Sequence, residues 1–315
     1  MTSRRQVLGL LALAPLAARA QPRKLYRIGV LETTSLRLNA ENFDRFRQGL
    51  QERGYVEGPT LVILYRSAEG SAERFQGLAQ DLVRQKVDLI VTRGTPATIA
   101  AKLATGTVPI VVTAMADPVE SRVAASLARP GANVTGLTTA SAELLPRRLE
   151  LLKALVPKMT RVAAYAGNPR DFEMAARAAS LEPLQVEVRA PEQLEPAFAD
   201  AARQGAQGVL VGIETLTQSN RKAIIELAAR HRLPAMYAAR EFVDDGGLVS
   251  YGVSYPDLYY RAAGYVDRIF KGAAPAELPI ERPAKFAFAI NRATARALDL
   301  VIPPDLLLRA DWAIG

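Results

Sequence analysis

The chain has 315 residues, of which 49% are hydrophobic and 23% charged, a composition typical of a globular protein long enough for two domains. It contains no cysteine, which excludes disulfides, thiolate metal sites and a cysteine nucleophile. The formal net charge of +8 is spread along the chain and forms no clustered basic stripe, so nucleic acid is not indicated as a partner.

The first twenty residues have the organisation of an export signal. Arg4 and Arg5 precede an uncharged apolar run too short to span a bilayer, and Ala18-Arg19-Ala20 is a small-x-small cleavage site. We therefore predict a signal peptide over residues 1–20 and a periplasmic mature protein that is not embedded in the membrane. Removal of the signal peptide takes away three arginines and lowers the formal net charge of the chain from +8 to +5. The arginine pair also resembles a twin-arginine signal, so the Sec and twin-arginine routes both stay open.

From Arg27 the chain alternates short apolar runs with amphipathic segments. Apolar residues recur at helical spacing between the runs, as in Phe43, Phe46 and Leu50, and a further helix is predicted over 119–127. The runs are rich in β-branched residues, which favours buried parallel strands. These predicted strands cover residues 27–31, 61–65, 87–91 and 108–112.

The same order of elements begins again at Arg161. Residue identities between the two halves are few, so the repeat is one of pattern. Two such arrays predict an α/β protein of two similar doubly wound lobes, each a parallel sheet covered by helices. The strands of the second array are expected at residues 161–165, 184–188, 208–213 and 233–237.

The tail from Leu248 does not start a third array. Its extended segments, together with residues 133–139, give three passages between the lobes and predict a three-segment hinge over a cleft. The expected N-terminal lobe comprises residues 21–136 with 252–284. The expected C-terminal lobe comprises residues 137–251 with 285–315.

The sequence offers little material for catalysis or cofactor binding. The single histidine, His231, ends a polar helix and lacks a nucleophile and an orienting partner in sequence. No cluster of metal ligands, no Walker A loop, no dinucleotide fingerprint and no G-x-S-x-G pentapeptide occurs. We expect no cofactor and no metal.

Polar loops follow the predicted strands of the first half. In a doubly wound sheet, ligands bind at the carboxyl ends of the strands, where hydroxyls and free amides of helix N-termini suit a carboxylate. The alternative is that these hydroxyls only cap helices. The residues singled out are Thr34, Ser35, Gly94, Thr95, Pro96, Ala116 and Asp117.

The second half places different side chains at matching positions. Asn168 and Glu214 are acceptors for an ammonium or a hydroxyl, and Arg240 is suited to a carboxylate. Tyr251, beside the expected hinge, is suited to stacking on a flat ligand. The alternatives are a surface ion pair for Arg240 with Glu241, and hinge packing for Tyr251.

Several stretches carry a resemblance to one family of proteins. They are Gly94-Thr95-Pro96-Ala97, Pro109-Ile110-Val111 with Asp117-Pro118-Val119, residues 131–136, residues 240–243, Gly246-Gly247-Leu248 with Ser250-Tyr251-Gly252, and Ile302-Pro303-Pro304 with Arg309-Ala310-Asp311. The chain resembles the ABC transporter substrate-binding proteins related to tryptophan- and other amino-acid-binding receptors. This resemblance implies a type 1 periplasmic binding fold that delivers a small solute to a membrane permease powered by a separate ATPase, and it adds Tyr237 to the ligand contacts of the second lobe. We expect a monomer.

The function predicted is that of a receptor and not an enzyme. The solute expected is an amino acid, an aromatic acid or another small carboxylate, with sugars and nucleosides less favoured. Two alternatives come from other classes. An exported hydrolase on the same scaffold requires a nucleophile elbow, and an effector-binding regulator normally carries an N-terminal helix-turn-helix.

Overall fold

The structure is a computed structural model that describes residues 24–315. The predicted signal peptide over 1–20 lies outside the described residues. Within the described part of the chain, no helix combines the length and the apolar character that a membrane crossing requires.

The first lobe is built on a five-stranded sheet in which every strand pair is parallel. Its spatial order, β2-β1-β3-β4-β5, places β1 and β3 side by side at the point where the order reverses. Every residue of β3 is buried, as its continuous apolar run predicts. The strands are β1 (Tyr26–Glu32), β2 (Leu61–Ser67), β3 (Leu89–Arg93), β4 (Ile110–Met115) and β5 (Val134–Thr138), with helices α1 (Ala40–Gln51), α2 (Arg74–Arg84) and α3 (Thr95–Ala104).

The second lobe is built on a seven-stranded sheet in the order β12-β11-β10-β9-β8-β6-β7. Five of its strands, β7-β6-β8-β9-β10, repeat the parallel arrangement of the first lobe, so the predicted two-lobed α/β fold is confirmed. One pair, β10 with β11, is antiparallel, because the chain leaves this sheet after β10 and returns in the opposite direction. The strands are β6 (Arg161–Tyr165), β7 (Glu182–Val186), β8 (Gly208–Val211), β9 (Ala235–Tyr237), β10 (Val249–Val253), β11 (Phe286–Asn291) and β12 (Trp312–Ile314).

Helices cover both sheets. Phe43, Phe46 and Leu50 are all buried on one face of α1, as their spacing predicts. The helices after β5 are α4 (Leu145–Leu155), α5 (Pro169–Ala178), α6 (Leu194–Arg203), α7 (Thr215–Ser219), α8 (Arg221–Arg230), α9 (Glu241–Asp244), α10 (Tyr255–Phe270), α11 (Arg292–Ala297) and α12 (Pro304–Arg309).

The helix predicted over residues 119–127 is wrong. This segment forms turns, because the Asp117 side chain accepts hydrogen bonds from the backbone N–H groups of Val119 and Glu120, both at 2.9 Å. An aspartate that satisfies these donors offers the backbone an alternative to a helix. Arg122 then adopts a left-handed φ of 56°, which breaks any helical continuation.

The chain passes between the lobes three times. It leaves the first sheet after β5, returns to the first lobe at Ser254, the N-cap of α10, and crosses again before β11. Helix α10 packs against α1, with the Tyr55 hydroxyl 3.1 Å from Asp267 and the Asn39 amide 3.4 Å from the Tyr259 hydroxyl. The tail from Leu248 thus contributes α10 to the first lobe and the strands β10, β11 and β12 to the second.

Candidate functional site

A cleft of about 1290 Å³ separates the two lobes. Its walls are the loops that follow β2, β3 and β4 on one side and those that follow β6, β7 and β8 on the other. The carboxyl ends of both parallel sheets therefore meet at this cleft, the position at which doubly wound sheets bind ligands.

Seven of the residues that the sequence predicts as ligand contacts line this cleft. On the first lobe Gly94 has a φ of 84°, a conformation that favours glycine, and it begins α3 without any side-chain cap. The first turn of α3 therefore has backbone N–H groups, those of Thr95 and Ala97, that no side chain caps. The seven residues are Gly94, Thr95, Pro96, Ala116, Asp117, Asn168 and Glu214.

Two predicted residues of the first lobe lie beside the cleft but not in its lining. Thr34 is buried, and its carbonyl accepts a hydrogen bond of 3.0 Å from the Tyr65 hydroxyl. The Ser35 hydroxyl accepts from the backbone of Leu38 in the turn that leads into α1. Thr33, one residue earlier, lines the cleft instead.

Three predicted residues of the second lobe also lie outside the lining. Tyr237 is fully buried and stacks on Phe242 at 4.7 Å, because side chains alternate along a strand and its neighbour Met236 takes the cleft side. Arg240 is 2.9 Å from Asp244 and lies 4.7 Å over the Trp312 ring, away from the cleft.

Tyr251 is the third of these residues. Its ring is stacked with Phe286 at 6.1 Å, and its carbonyl accepts a hydrogen bond of 2.7 Å from Arg148. Tyr251 therefore packs at the hinge and holds a cleft residue in place through its backbone.

A buried polar cluster forms the base of the cleft on the first lobe. Arg93, at the end of β3, is only 4% exposed and donates from Nη1 to the Asn39 side chain at 3.1 Å. The Tyr259 hydroxyl donates to Glu32, which is fully buried. Burial raises the pKa of Glu32, partly opposed by the positive charge of Arg93 and by the Tyr259 hydrogen bond. Glu32 in turn helps to hold the pKa of Arg93 above its ordinary value against the effect of burial.

A second buried arginine lies on the opposite wall. Arg148, on α4, is 5% exposed and lines the cleft. Burial lowers its pKa to about 10, and among the described residues no carboxylate lies within ion-pair distance. Its charge is held by neutral acceptors alone, the carbonyl of Tyr251 and the carbonyl and hydroxyl of Ser141.

Sequence reasoning missed both arginines. A signal exists for Arg93, because a charged residue that ends the strand Leu89-Ile90-Val91-Thr92, directly before Gly94, lies at the carboxyl edge of the sheet. Nothing in the sequence distinguishes Arg148 from its neighbour Arg147, which pairs with Glu150 on the surface of α4.

The lobes contact each other across the mouth of the cleft. The Asn168 amide lies 3.3 Å from a carboxylate oxygen of Glu120 on the opposite lobe. Gly70 faces α7 so closely that a Cβ added there would lie 2.7 Å from the Cβ of Ser219. The two lobes thus touch each other at these two places across the mouth of the cleft.

The cleft does not hold the parts of a metal or catalytic centre. Among residues 24–315, no three His, Asp or Glu side chains are grouped as metal ligands. His231 lies outside the cleft, 3.1 Å from Glu195. What the cleft contains is buried positive charge at its base and polar loops at its mouth, an arrangement suited to binding.

Comparisons with known proteins point the same way. Residues 28–314 match the family described as "ABC transporter substrate binding protein". The chain is 26% identical over 264 residues to a "Tyrosine-binding protein" of Clostridioides difficile, covering 81% of this chain and 75% of the relative. A conserved domain protein from Vibrio cholerae superimposes with a TM-score of 0.86 at 25% identity, covering 92% of this chain and 100% of that one. An ABC domain in complex with L-Trp from Streptococcus superimposes with a TM-score of 0.84 at 24% identity and the same coverage.

Proposed function

The chain belongs to the family of ABC transporter substrate-binding proteins, and from this premise we propose that it is the periplasmic solute receptor of an importer. It captures a small solute that carries a carboxylate, such as an amino acid or an aromatic acid, and delivers it to a membrane permease with its ATPase. The family consists of binding receptors and not of enzymes, so the hydrolase alternative has no support.

One observation carries the choice of a carboxylate. Arg148 is a buried cation in the cleft wall with no acidic partner among residues 24–315. A buried charge without a counter-charge is costly, and a ligand carboxylate supplies the missing negative charge together with acceptors for the guanidinium. A neutral sugar leaves the charge of Arg148 uncompensated.

The names of the similar proteins agree with this class of solute. One relative is named a tyrosine-binding protein, and a structure of similar fold holds L-Trp. Both molecules carry a carboxylate and an aromatic ring. The volume of the cleft, about 1290 Å³, accommodates either.

We propose that binding proceeds by closure of the lobes over the solute. Contacts from the two walls act on the solute together only when the cleft is closed, so the solute shifts the equilibrium by its differential affinity for the closed form. The mouth contacts between Glu120 and Asn168 and between Gly70 and Ser219 belong to that form. The proposed ligand contacts at the mouth are Gly94, Thr95, Pro96, Ala116, Asp117, Asn168 and Glu214.

A thermal-shift screen of the purified protein tests the proposal. Each small carboxylic acid is compared with its own amide, because the pair differs mainly in the charge that Arg148 needs. A bound acid at 100 times its dissociation constant adds about 2.7 kcal/mol of stability, and we expect the amide to add much less. Stabilisation by neutral sugars but by no acid would contradict the choice of solute.

The importer role needs a separate measurement. We expect deletion of the gene to abolish uptake of the identified solute by intact cells, and re-expression of the full chain to restore it. Unchanged uptake in the deletion strain, with tight binding by the purified protein, would contradict import as the role.

A further inference from the structure

Two buried arginines line the cleft, one from each lobe. Arg93 comes from the end of β3, and Arg148 comes from α4. Tyr255, the first residue of α10, lies beside both: the Arg93 guanidinium is 4.5 Å over its ring, and the charge of Arg148 also acts on it. All three residues line the cleft.

Arg93 has donor capacity that the protein does not use. Its Nη1 is bonded to Asn39, whereas its Nη2 is buried without a hydrogen-bond partner among residues 24–315. A buried donor left unpaired is unfavourable, and most such groups in proteins have a partner. Nη2 is therefore available to an acceptor brought by a ligand.

Arg148 is available in the same way. It donates from Nε to the Tyr251 carbonyl at 2.7 Å and from Nη1 to Ser141 at 3.3–3.5 Å. These bonds fix the plane of the guanidinium and leave Nη2 for a ligand. The fork geometry of arginine suits two oxygens of one carboxylate.

The positive charge of Arg148 has no counter-charge at the base of the cleft. Arg93 is offset by the fully buried Glu32, and the half-buried Glu241 also acts on it, whereas among residues 24–315 no carboxylate pairs with Arg148. Asp117 and Glu214, which also line the cleft, are exposed. A ligand carboxylate between the arginines supplies the missing negative charge.

We propose that the carboxylate of the solute binds at the base of the cleft between Arg93 and Arg148. This inference rests on the proposed function and places the anionic end of the solute there, with its other groups directed toward Asp117, Asn168 and Glu214 at the mouth. Because the arginines belong to different lobes, the anion joins the lobes directly. The same bound carboxylate then both favours closure of the cleft and neutralises the charge of Arg148.

Arg148 also has a purely structural interpretation, in which it only ties Ser141 to Tyr251 at the hinge. The two interpretations differ in one measurable property. A residue that only supports the hinge affects an acid and its amide alike. A residue that binds the carboxylate affects the acid alone.

The experiment is calorimetric titration of the full-length protein with L-tyrosine, L-tryptophan and phenylacetate and with the amide of each. The variants are Arg148→Met and Arg93→Lys, the latter keeping the charge beside Glu32 while removing the guanidinium fork. Arg147→Met, one residue along α4 in an exposed ion pair with Glu150, is the matched control. We expect Arg148→Met to weaken acid binding by about 30-fold or more and Arg93→Lys by about tenfold. Amide binding changes by less than about threefold, and Arg147→Met changes neither.

The outcomes separate the two proposals. If the wild type binds acids and both variants bind them equally well, the two-arginine site is overturned and the proposed function stands. If acid and amide lose affinity in parallel, Arg148 is a hinge residue and the site is also overturned. If the wild type binds none of the acids, or only amides, the carboxylate solute and the two-arginine site fail together.

Discussion

The two lobes share a fold, and each places one buried arginine at the cleft, but the arginines differ in their surroundings. On the first lobe, Arg93 belongs to a cluster with Glu32, Asn39 and Tyr259 that offsets its charge within the protein. On the second lobe, Arg148 has neutral acceptors only. Within residues 24–315, the charge of Arg93 is therefore offset by a protein carboxylate, whereas the charge of Arg148 is not. By this comparison Arg93 should contribute more to stability than Arg148, while both are proposed to bind the carboxylate of the solute.

The largest effect should come from removing the arginine whose charge is offset. Arg93→Met leaves Glu32 buried without its nearby positive charge, and we expect a loss of about 3 kcal/mol in the free energy of unfolding, measured with urea. Arg148→Met removes a buried charge that has no counter-charge, so this variant should lose less than about 1 kcal/mol in its free energy of unfolding. Equal losses in the two variants would contradict the difference between the walls.

The stability loss in Arg93→Met should depend on pH, because Glu32 titrates beside it. Burial already raises the pKa of Glu32 above its ordinary value of 4.5, and removing Arg93 raises it further. Between 4.5 and the folded pKa the unfolded chain binds fewer protons, so stability falls as pH rises through this window. The cost of Arg93→Met should therefore be smaller at pH 4 than at pH 7.5.

A second substitution provides the control for this interpretation. Arg93→Met combined with Glu32→Gln leaves no charge in the buried cluster, and we expect it to recover at least half of the loss at pH 7.5. The double variant should also lose most of its additional pH dependence. A loss equal to the sum of the two single losses would show that the charges do not interact.

A methyl group at the mouth should affect binding more than stability. Gly70→Ala places a Cβ 2.7 Å from the Ser219 Cβ when the lobes are closed, so it disfavours the closed form. Gly58→Ala is a matched control, because its φ of 91° is similar and nothing lies within 4 Å. Both should lose about 1 kcal/mol of stability from backbone strain. We expect Gly70→Ala alone to weaken binding, by about fivefold.

The smallest effect should come from the hydrogen bond across the mouth. Glu120→Ala removes the acceptor of Asn168, and we expect an increase of about twofold in the dissociation constant, since exposed polar contacts contribute little. Glu73→Ala makes the same change in charge at a cleft residue that makes no bond across the mouth. Equal effects of the two variants in titration would assign the change to net charge and not to the contact.

Most of the architecture follows from local sequence patterns. The β-branched run of β3 is buried throughout, and the apolar face of α1 packs inward as its periodicity predicts. The exceptions have specific causes. The Asp117 side chain forms turns where a helix is predicted over 119–127, and the reversal of β11 depends on a return from the other lobe that no local pattern encodes.

The candidate site could be predicted only to the level of loops. Parallel topology places the residues after β3, β4, β6 and β8 at the cleft, which is why Thr95, Asp117, Asn168 and Glu214 lie in its lining; as ligand contacts they stay predictions. The resemblance to the family predicts Tyr237 as a ligand contact at the same edge, but its side chain faces the core. The sequence places a residue at the carboxyl edge of a sheet. It does not decide whether the side chain there points to the cleft or to the core of its own lobe.

The sequence by itself determined the repeated strand–helix pattern and the edge of each sheet at which the loops gather, because both depend on periodicity and chain direction over short distances. Only the tertiary structure decided that Arg93 lies near a carboxylate 61 residues earlier in the chain, whereas Arg148 lies among neutral acceptors. The ionic surroundings of a buried group depend on which distant residues fold against it. For that reason two arginines that look ordinary in sequence differ in what they do at the base of the cleft.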